Sequence, residues 1–466
     1  MSFWILVLAI LAGLLWSSLR GKHTGSRRLP PGPMGLPVIG NLYKLGDLPH
    51  RSLHRLSKKY GSIMFMRLGL VPTVVVSSPQ AAELFLKTHD DVFASRPNAQ
   101  AAECLAYGNK GLAFSRYGPY WRNIRKICIL ELLTNHKVEY FSAMRKEEVS
   151  NLVKSLRVAA KAQTVVDLSF MVRSVIEDMT FLMLFGRKDD RFDFKPGLNR
   201  RFKTTSKVLD KYLEEIIEEH VRDARETRAT KNIDFIQVML SLMESQNDSL
   251  DRENVKAIIL DVLLAAIDTS STVIEWTFSE LMRHPRVMNH VQEELQNVVG
   301  NRLVDESDFS KLSYLDMVVK ETMRLHPVAP LLIPHESTEE IMIDGYLIPK
   351  KSRIIINIFA IGRDPNAWSE NTEEFYPERF IGTNIDFRGR DFQLIPFGSG
   401  RRSCPGMQMG LAVVRLVLAQ LLHCFNWELP EGTSPKNLDM SEKFGLAVPR
   451  ANHLLLIPTS RNAVNE

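Results

Sequence analysis

Between Ala257 and Ile267 the chain reads AIILDVLLAAI, apolar on almost every side. A helix without a polar face lies inside a protein rather than on it. Extended from Asn254 to His284, it spans about 45 Å at 1.5 Å per residue, enough to cross a whole molecule. Helix dominates the rest. Pro49–Tyr60, Pro79–Thr88, Tyr117–Leu133, Lys137–Arg157, Ser169–Phe185, Arg200–Arg228, the block Asp251–Val299 and Met407–Cys424 read as helical. Ile63–Leu68, Thr73–Ser77, Ile341–Ile348 and Arg353–Ile358 read as short strands. The expected class is mainly α with small β-sheets. Residues 41–466 show no repeat or linker and are expected to form one large domain.

Composition removes several functions. Of 466 residues, 45% are apolar and 24% charged, which excludes a disordered chain and a polytopic membrane protein. Lysine plus arginine is 59 against 54 acids, a net charge of +5. That balance gives no sign of a nucleic-acid partner. The four cysteines, Cys104, Cys128, Cys404 and Cys424, include no CxxC pair. They do not make a disulfide framework, and the chain reads as reduced and intracellular.

The amino terminus looks like an anchor. Phe3 to Leu19 carries no charge, and Arg20, Lys22, Arg27 and Arg28 follow it. Residues 1–19 are expected to be a single transmembrane helix, with the following chain in the cytosol. The other reading is a cleaved signal peptide; the missing basic leader and cleavage site speak against it. Residues 20–40 form a basic, proline-rich hinge, in which Leu29-Pro30-Pro31-Gly32-Pro33 is a stiff extended strap.

The strongest local signal is Pro396-Phe397-Gly398-Ser399-Gly400-Arg401-Arg402-Ser403-Cys404-Pro405-Gly406. Glycines surround one cysteine, and a helix begins near Met407. Its amide dipole, aimed at the sulfur, is expected to favour a thiolate. No second cysteine or histidine stands nearby, so zinc would lack its four ligands. A single thiolate facing a flat cofactor suits heme iron.

These residues resemble the heme-binding signature of the cytochrome P450 family, F-x-x-G-x-R-x-C-x-G, at Phe397, Gly400, Arg402, Cys404 and Gly406. Other matches follow in the family's order. Glu321-Thr322-Met323-Arg324 resembles its E-x-x-R motif, and Pro377-Glu378-Arg379-Phe380 its meander. The resemblance implies a buried network of Glu321, Arg324 and Arg379. Trp121 and Arg125 resemble its W-x-x-x-R, and together with Arg402 they are implied to meet heme propionates. His335 stands where many members carry an arginine for the same task, and is expected to donate with less charge. The phrases PFGSGRRSCPG, KETMRLHP and PPGPMGLPVIGNL look like plant enzymes of specialised metabolism.

On the oxygen side, Ala265-Ala266-Ile267-Asp268-Thr269-Ser270 resembles the family's A/G-G-x-D/E-T-T/S, with Ala266 in place of glycine. Asp268 and Thr269 are the implied proton relay, and Thr269 is expected to bond back to a carbonyl and open the helix locally.

The resemblance therefore implies the cytochrome P450 fold and a monooxygenase with heme b ligated by Cys404. Its electrons would come from NADPH through NADPH-cytochrome P450 reductase, with cytochrome b5 as a further partner. The substrate would be a lipophilic small molecule. The setting would be the endoplasmic reticulum membrane, crossed once. The family's enzymes are longer, and the shortfall falls near Lys195–Asn199, in the roof over the substrate. Two rivals stay open: a heme-binding pseudoenzyme or truncated variant, and a reductase-independent isomerase or dehydratase. The Asp268–Thr269 pair speaks against the latter.

Overall fold

The computed structural model describes residues 13, 28–99, 102–103, 107–188, 202–226, 234–245, 250–368 and 371–461. The expected anchor apart from residue 13, the first part of the hinge, the shortened stretch at Lys195–Asn199 and Cys104 lie outside them.

The chain divides into two compact units. One comprises residues up to Pro97, Ala329–Glu374 and Ile385–Ser403; the other comprises Asn98–Val328, Phe375–Asn384 and Cys404–Glu466.

The first unit is built on a four-stranded sheet. Ile63–Leu68 pairs antiparallel with Val71–Val76. Val71–Val76 then runs parallel to Arg353–Ile356, with Val76 opposite Ile356. His335–Glu336 closes the edge antiparallel, with His335 opposite Ile354. Val74, Val76, Ile354 and Ile356 are buried with Phe85, Phe93 and Ile348. Residues 341–348 are a hairpin rather than the single strand expected. Asp344 and Gly345 take φ of 49° and 76° between Ile341–Ile343 and Tyr346–Ile348, and an Asp-Gly pair with positive φ is a favoured two-residue turn.

The second unit is helical around the rod that the sequence predicts, Arg252–Arg283. Its start is fixed by a capping box. Asp251 accepts the Asn254 amide at 2.7 Å, and the Asn254 side chain accepts the Asp251 amide at 2.8 Å. Its end is fixed by Pro285, which pushes His284 to φ −124°, ψ 73°, and Pro285–Val299 follows as a separate helix. The rod packs against Leu168–Phe185, Ser313–Leu325 and Met407–Cys424. Ile258, Ile259, Leu263 and Ile267 are buried in one cluster with Ile124, Leu213, Phe235 and Met239. Both Arg252–Arg283 and Met407–Cys424 are apolar and long enough to cross a membrane, yet both are largely buried here as core helices. A small sheet joins Val166–Asp167, Leu455–Ser460 and Phe425–Glu428.

Candidate functional site

The cysteine loop begins in the first unit. Gly400 has φ +69°, and a Cβ there would strike the Leu86 carbonyl, so the position admits only glycine. The next residue ties the loop down: the Arg401 amide and guanidinium donate to Asp90 Oδ2 at 2.9 and 3.1 Å. Arg402 Nε donates to the Ala94 carbonyl at 2.7 Å. Phe397 packs edge-on against Phe387.

The same unit places His335 among arginines. His335 is buried, and burial together with the charges of Arg96 and Arg402 holds its imidazole well below the usual histidine range. The ring is therefore neutral. Its Nδ1 lies 2.8 Å from the Phe93 carbonyl and must carry the proton, which leaves Nε2 as an acceptor. The donor expected at His335 is thus spent on the backbone. Positive charge here comes from Arg402 and from Arg96, a buried arginine that donates to the Ile333 and Pro334 carbonyls at 2.5 and 3.0 Å.

Cys404 belongs to the second unit. Its thiol is set deep among protein atoms, yet its surface is open. Burial pushes the thiol up; the Gly406 amide on the sulfur and the charge of Arg125 work the other way without prevailing. The amide expected to favour a thiolate is present, but desolvation outweighs it. Cys128 and Cys424 are buried and closed, and burial pushes their thiols up to about 12 and about 11.

Trp121 and Arg125 share the helix Pro119–Ile127. The Trp121 ring is buried, its Nε1 donates to the Leu112 carbonyl at 3.0 Å, and the Arg125 guanidinium stands 5.4 Å from the ring centroid.

The rod, buried at most positions, opens at Leu264, Ala265 and Thr269, while Leu263, Ile267 and Ser270 stay buried. Ala265 and Thr269, four residues apart, share one face, and Leu264 borders it. Thr269 Oγ1 donates to the Ala265 carbonyl at 2.6 Å. The helix is continuous through this point, without the local opening expected there. Asp268 pairs with Arg173 of Leu168–Phe185, a partner that the sequence motif does not reveal.

Glu321 serves as acceptor to three residues. Oε2 takes Arg324 Nε at 2.7 Å; Oε1 takes Arg324 Nη2 at 2.9 Å, Arg379 Nε at 2.8 Å and the Tyr376 amide at 2.8 Å. Glu321 and Arg324 are fully buried, and Arg379 nearly so.

Comparison with known proteins places this arrangement. The cytochrome P450 family model matches residues 30–194 and 189–457. The chain belongs to the cytochrome P450 family. It is 54% identical to cytochrome P450 CYP736A12 of Panax ginseng, covering 98% of each chain. It is 41% identical to desmethyl-deoxy-podophyllotoxin synthase of Sinopodophyllum hexandrum, covering 97% of this chain and 96% of that one. A solved zebra fish cytochrome P450 with abiraterone superposes with a TM-score of 0.77 at 25% identity, covering 90% of this chain and all of that one. The fold is the cytochrome P450 fold, and the protein is a cytochrome P450 monooxygenase. Membership implies a cysteine-ligated heme. Arg96 and Arg173 are the charged groups that reading by motif passed over; each carries a guanidinium beside a motif residue, and neither lies within a recognisable pattern.

Proposed function

We propose that the chain is a membrane-anchored heme-thiolate monooxygenase that oxidises a lipophilic small molecule, fed with electrons from NADPH by a separate flavin reductase. The observation that carries this reading is Cys404: a deep-set sulfur with an open surface, in a chain whose other described cysteines are closed.

The residues present fit heme. The sulfur is free to ligate, and a Cβ on neighbouring Gly406 would meet no atom within 4 Å. The family resemblance implies propionate contacts for Trp121, Arg125 and Arg402; within the first unit, Arg402 and Arg96 lie beside the neutral His335 ring. Heme, when bound, supplies the activation of oxygen. Cys404 Sγ supplies the ligand charge. Leu264 and Ala265 present apolar surface, which favours a lipophilic substrate and excludes water. Thr269 gives its proton to the Ala265 carbonyl, so the lone pairs of Oγ1 face outward and accept a hydrogen bond. Asp268, paired with Arg173, is assigned to the proton relay beside it. Glu321, Arg324 and Arg379 lock the protein behind the cysteine. Residues 1–19 are assigned as the membrane anchor, and the plant relatives favour specialised metabolism.

A second reading has its own support. The family match is broken into two stretches that meet at residues 189–194, beside the expected shortfall at Lys195–Asn199. A shortened roof would bind heme and turn over poorly. The reduced, carbon-monoxide difference spectrum of the full chain, followed by NADPH consumption with reductase, tests both. A thiolate-type red-shifted band with product formation supports the monooxygenase. The band with peroxide alone supports the shortened variant, and absence of the band overturns heme-thiolate function.

A further inference from the structure

Within the apolar run of the rod stands one carboxylate, Asp261. It is packed deep in protein, and burial pushes its carboxyl up to about 6 against the pull of two backbone hydrogen bonds. Such a group is costly to bury unless its lone pairs are used. They are used by the loop before helix Pro119–Ile127. Asp261 Oδ2 accepts the Ala113 amide at 2.9 Å, and the Leu112 amide also bonds the carboxylate.

Three further features converge on the same loop. Gly111 lies so close that a Cβ there would collide with the Asp261 carboxylate. The Ser115 hydroxyl sits against the Asn109 and Gly111 carbonyls and fixes the turn. The Leu112 peptide is gripped from both sides: its amide bonds Asp261, and its carbonyl accepts from Trp121 Nε1. Asp261, Leu112, Trp121 and Arg125 thus form a chain of contacts from the rod to the helix carrying Arg125. One turn beyond Asp261, the rod opens at Leu264 and Ala265.

We infer that Asp261 is a positioning residue for substrate binding. Its carboxylate anchors the 107–115 loop to the rod and so sets the space available beside the open face. Its carboxylate is held by the Leu112 and Ala113 amides, so it acts through the loop rather than on the reacting atoms. The loop it fixes shapes the space beside Leu264 and Ala265. This inference rests on the monooxygenase reading above.

The test uses the full-length heme-loaded protein, the variants Asp261→Asn and Gly111→Ala and their double variant. The probe is 4-phenylimidazole, whose binding is read by the shift of the heme band. A wild type without the thiolate band sinks the monooxygenase reading and this assignment with it; the remaining outcomes bear on the assignment alone. With the band present in all four proteins, each single variant is expected to weaken the probe about tenfold, the effect of losing a hydrogen bond to a charged group. The double variant is expected to be no worse than either single one, because both changes break one contact. Hydrogen exchange at the Leu112 and Ala113 amides should quicken at least tenfold in both variants while the rod stays protected. Asp261→Glu, which keeps the charge, should recover part of the affinity. Unchanged affinity in Asp261→Asn, effects that multiply in the double variant, or loss of the thiolate band in both single variants would each overturn the assignment.

Discussion

Arg324 grips Glu321 one turn earlier on its own helix through two hydrogen bonds of 2.7 and 2.9 Å, with both side chains shut off from water. Arg379 reaches the same carboxylate from the meander at 2.8 Å. One buried acid therefore partners two buried cations. Removing it leaves uncompensated charge, which costs about 3–5 kcal/mol. Glu321→Gln is expected to lower stability by that amount and to abolish heme retention, measured by denaturant unfolding and by the carbon-monoxide spectrum. Arg379→Ala should cost less, because the Glu321–Arg324 pair survives it. Equal losses in the two variants would show that the network does not centre on Glu321.

His54 gives a pH dependence with a defined sign. Burial, then the charges of Lys58 and Arg363, lower its imidazole to about 4 from 6.5. The folded state thus holds it neutral, and the unfolded chain takes up the proton first on acidification. Its contribution is complete above pH 6.5 and is lost as pH falls toward 4. His54→Phe should flatten the fall in unfolding free energy between pH 7 and pH 4.5 relative to wild type. Parallel profiles for the two proteins would remove His54 as the cause.

What the sequence made legible follows the range of the interactions involved. The rod was visible because AIILDVLLAAI and Pro285 are local signals. Lys137–Arg157 was read as one helix, yet it splits into Asn135–Tyr140 and Ser142–Lys161. Thr134 caps the first piece through the Lys137 amide, and Phe141, buried in the core, sits at the break. Pro79–Thr88 and Tyr117–Leu133 each end in a wider π-turn that preserves helical spacing in the sequence. The short apolar helix Phe235–Ser245 and the strands Phe425–Glu428 and Leu455–Ser460 went unread; the two strands pair across a long intervening loop with no turn signal to join them. At the site, Cys404, Glu321 and Thr269 stand in compact motifs. Arg96 bonds carbonyls at Ile333 and Pro334, more than 200 positions away, and Arg173 meets Asp268 from another helix. No periodicity encodes such partners, because the fold alone brings them together.

Thr269 has its hydroxyl proton committed to the Ala265 carbonyl on the open face of the rod. If its lone pairs steer protons toward activated oxygen, their loss should divert the reaction without disturbing the cysteine. Thr269→Ala is expected to keep the thiolate-type spectrum and to lower product formed per NADPH at least about tenfold, the lower range for general acid–base effects, with peroxide rising in step. Thr269→Ser should restore most of the coupling. Arg173→Ala, which strips Asp268 of its partner, should give a smaller loss in the same direction. Unchanged coupling in Thr269→Ala would remove the hydroxyl from the proton path.

Cys404 differs from Cys128 and Cys424 in access rather than in residue type. All three thiols are pushed up by burial, but the Cys404 surface is open and the other two are closed. Reaction with iodoacetamide requires both approach and some thiolate. In heme-free folded protein, alkylation followed by peptide mapping should therefore mark Cys404 far ahead of Cys128 and Cys424. Heme loading should protect Cys404 and leave the other two as they were, because heme bound at the sulfur would block the reagent's approach and draw on the sulfur's electron density. Cys404→Ser should remove both the labelling and the thiolate-type band while keeping the helical circular dichroism. Labelling of Cys404 that heme does not diminish would mean that the sulfur is not the ligand, whatever the spectrum of the bound heme.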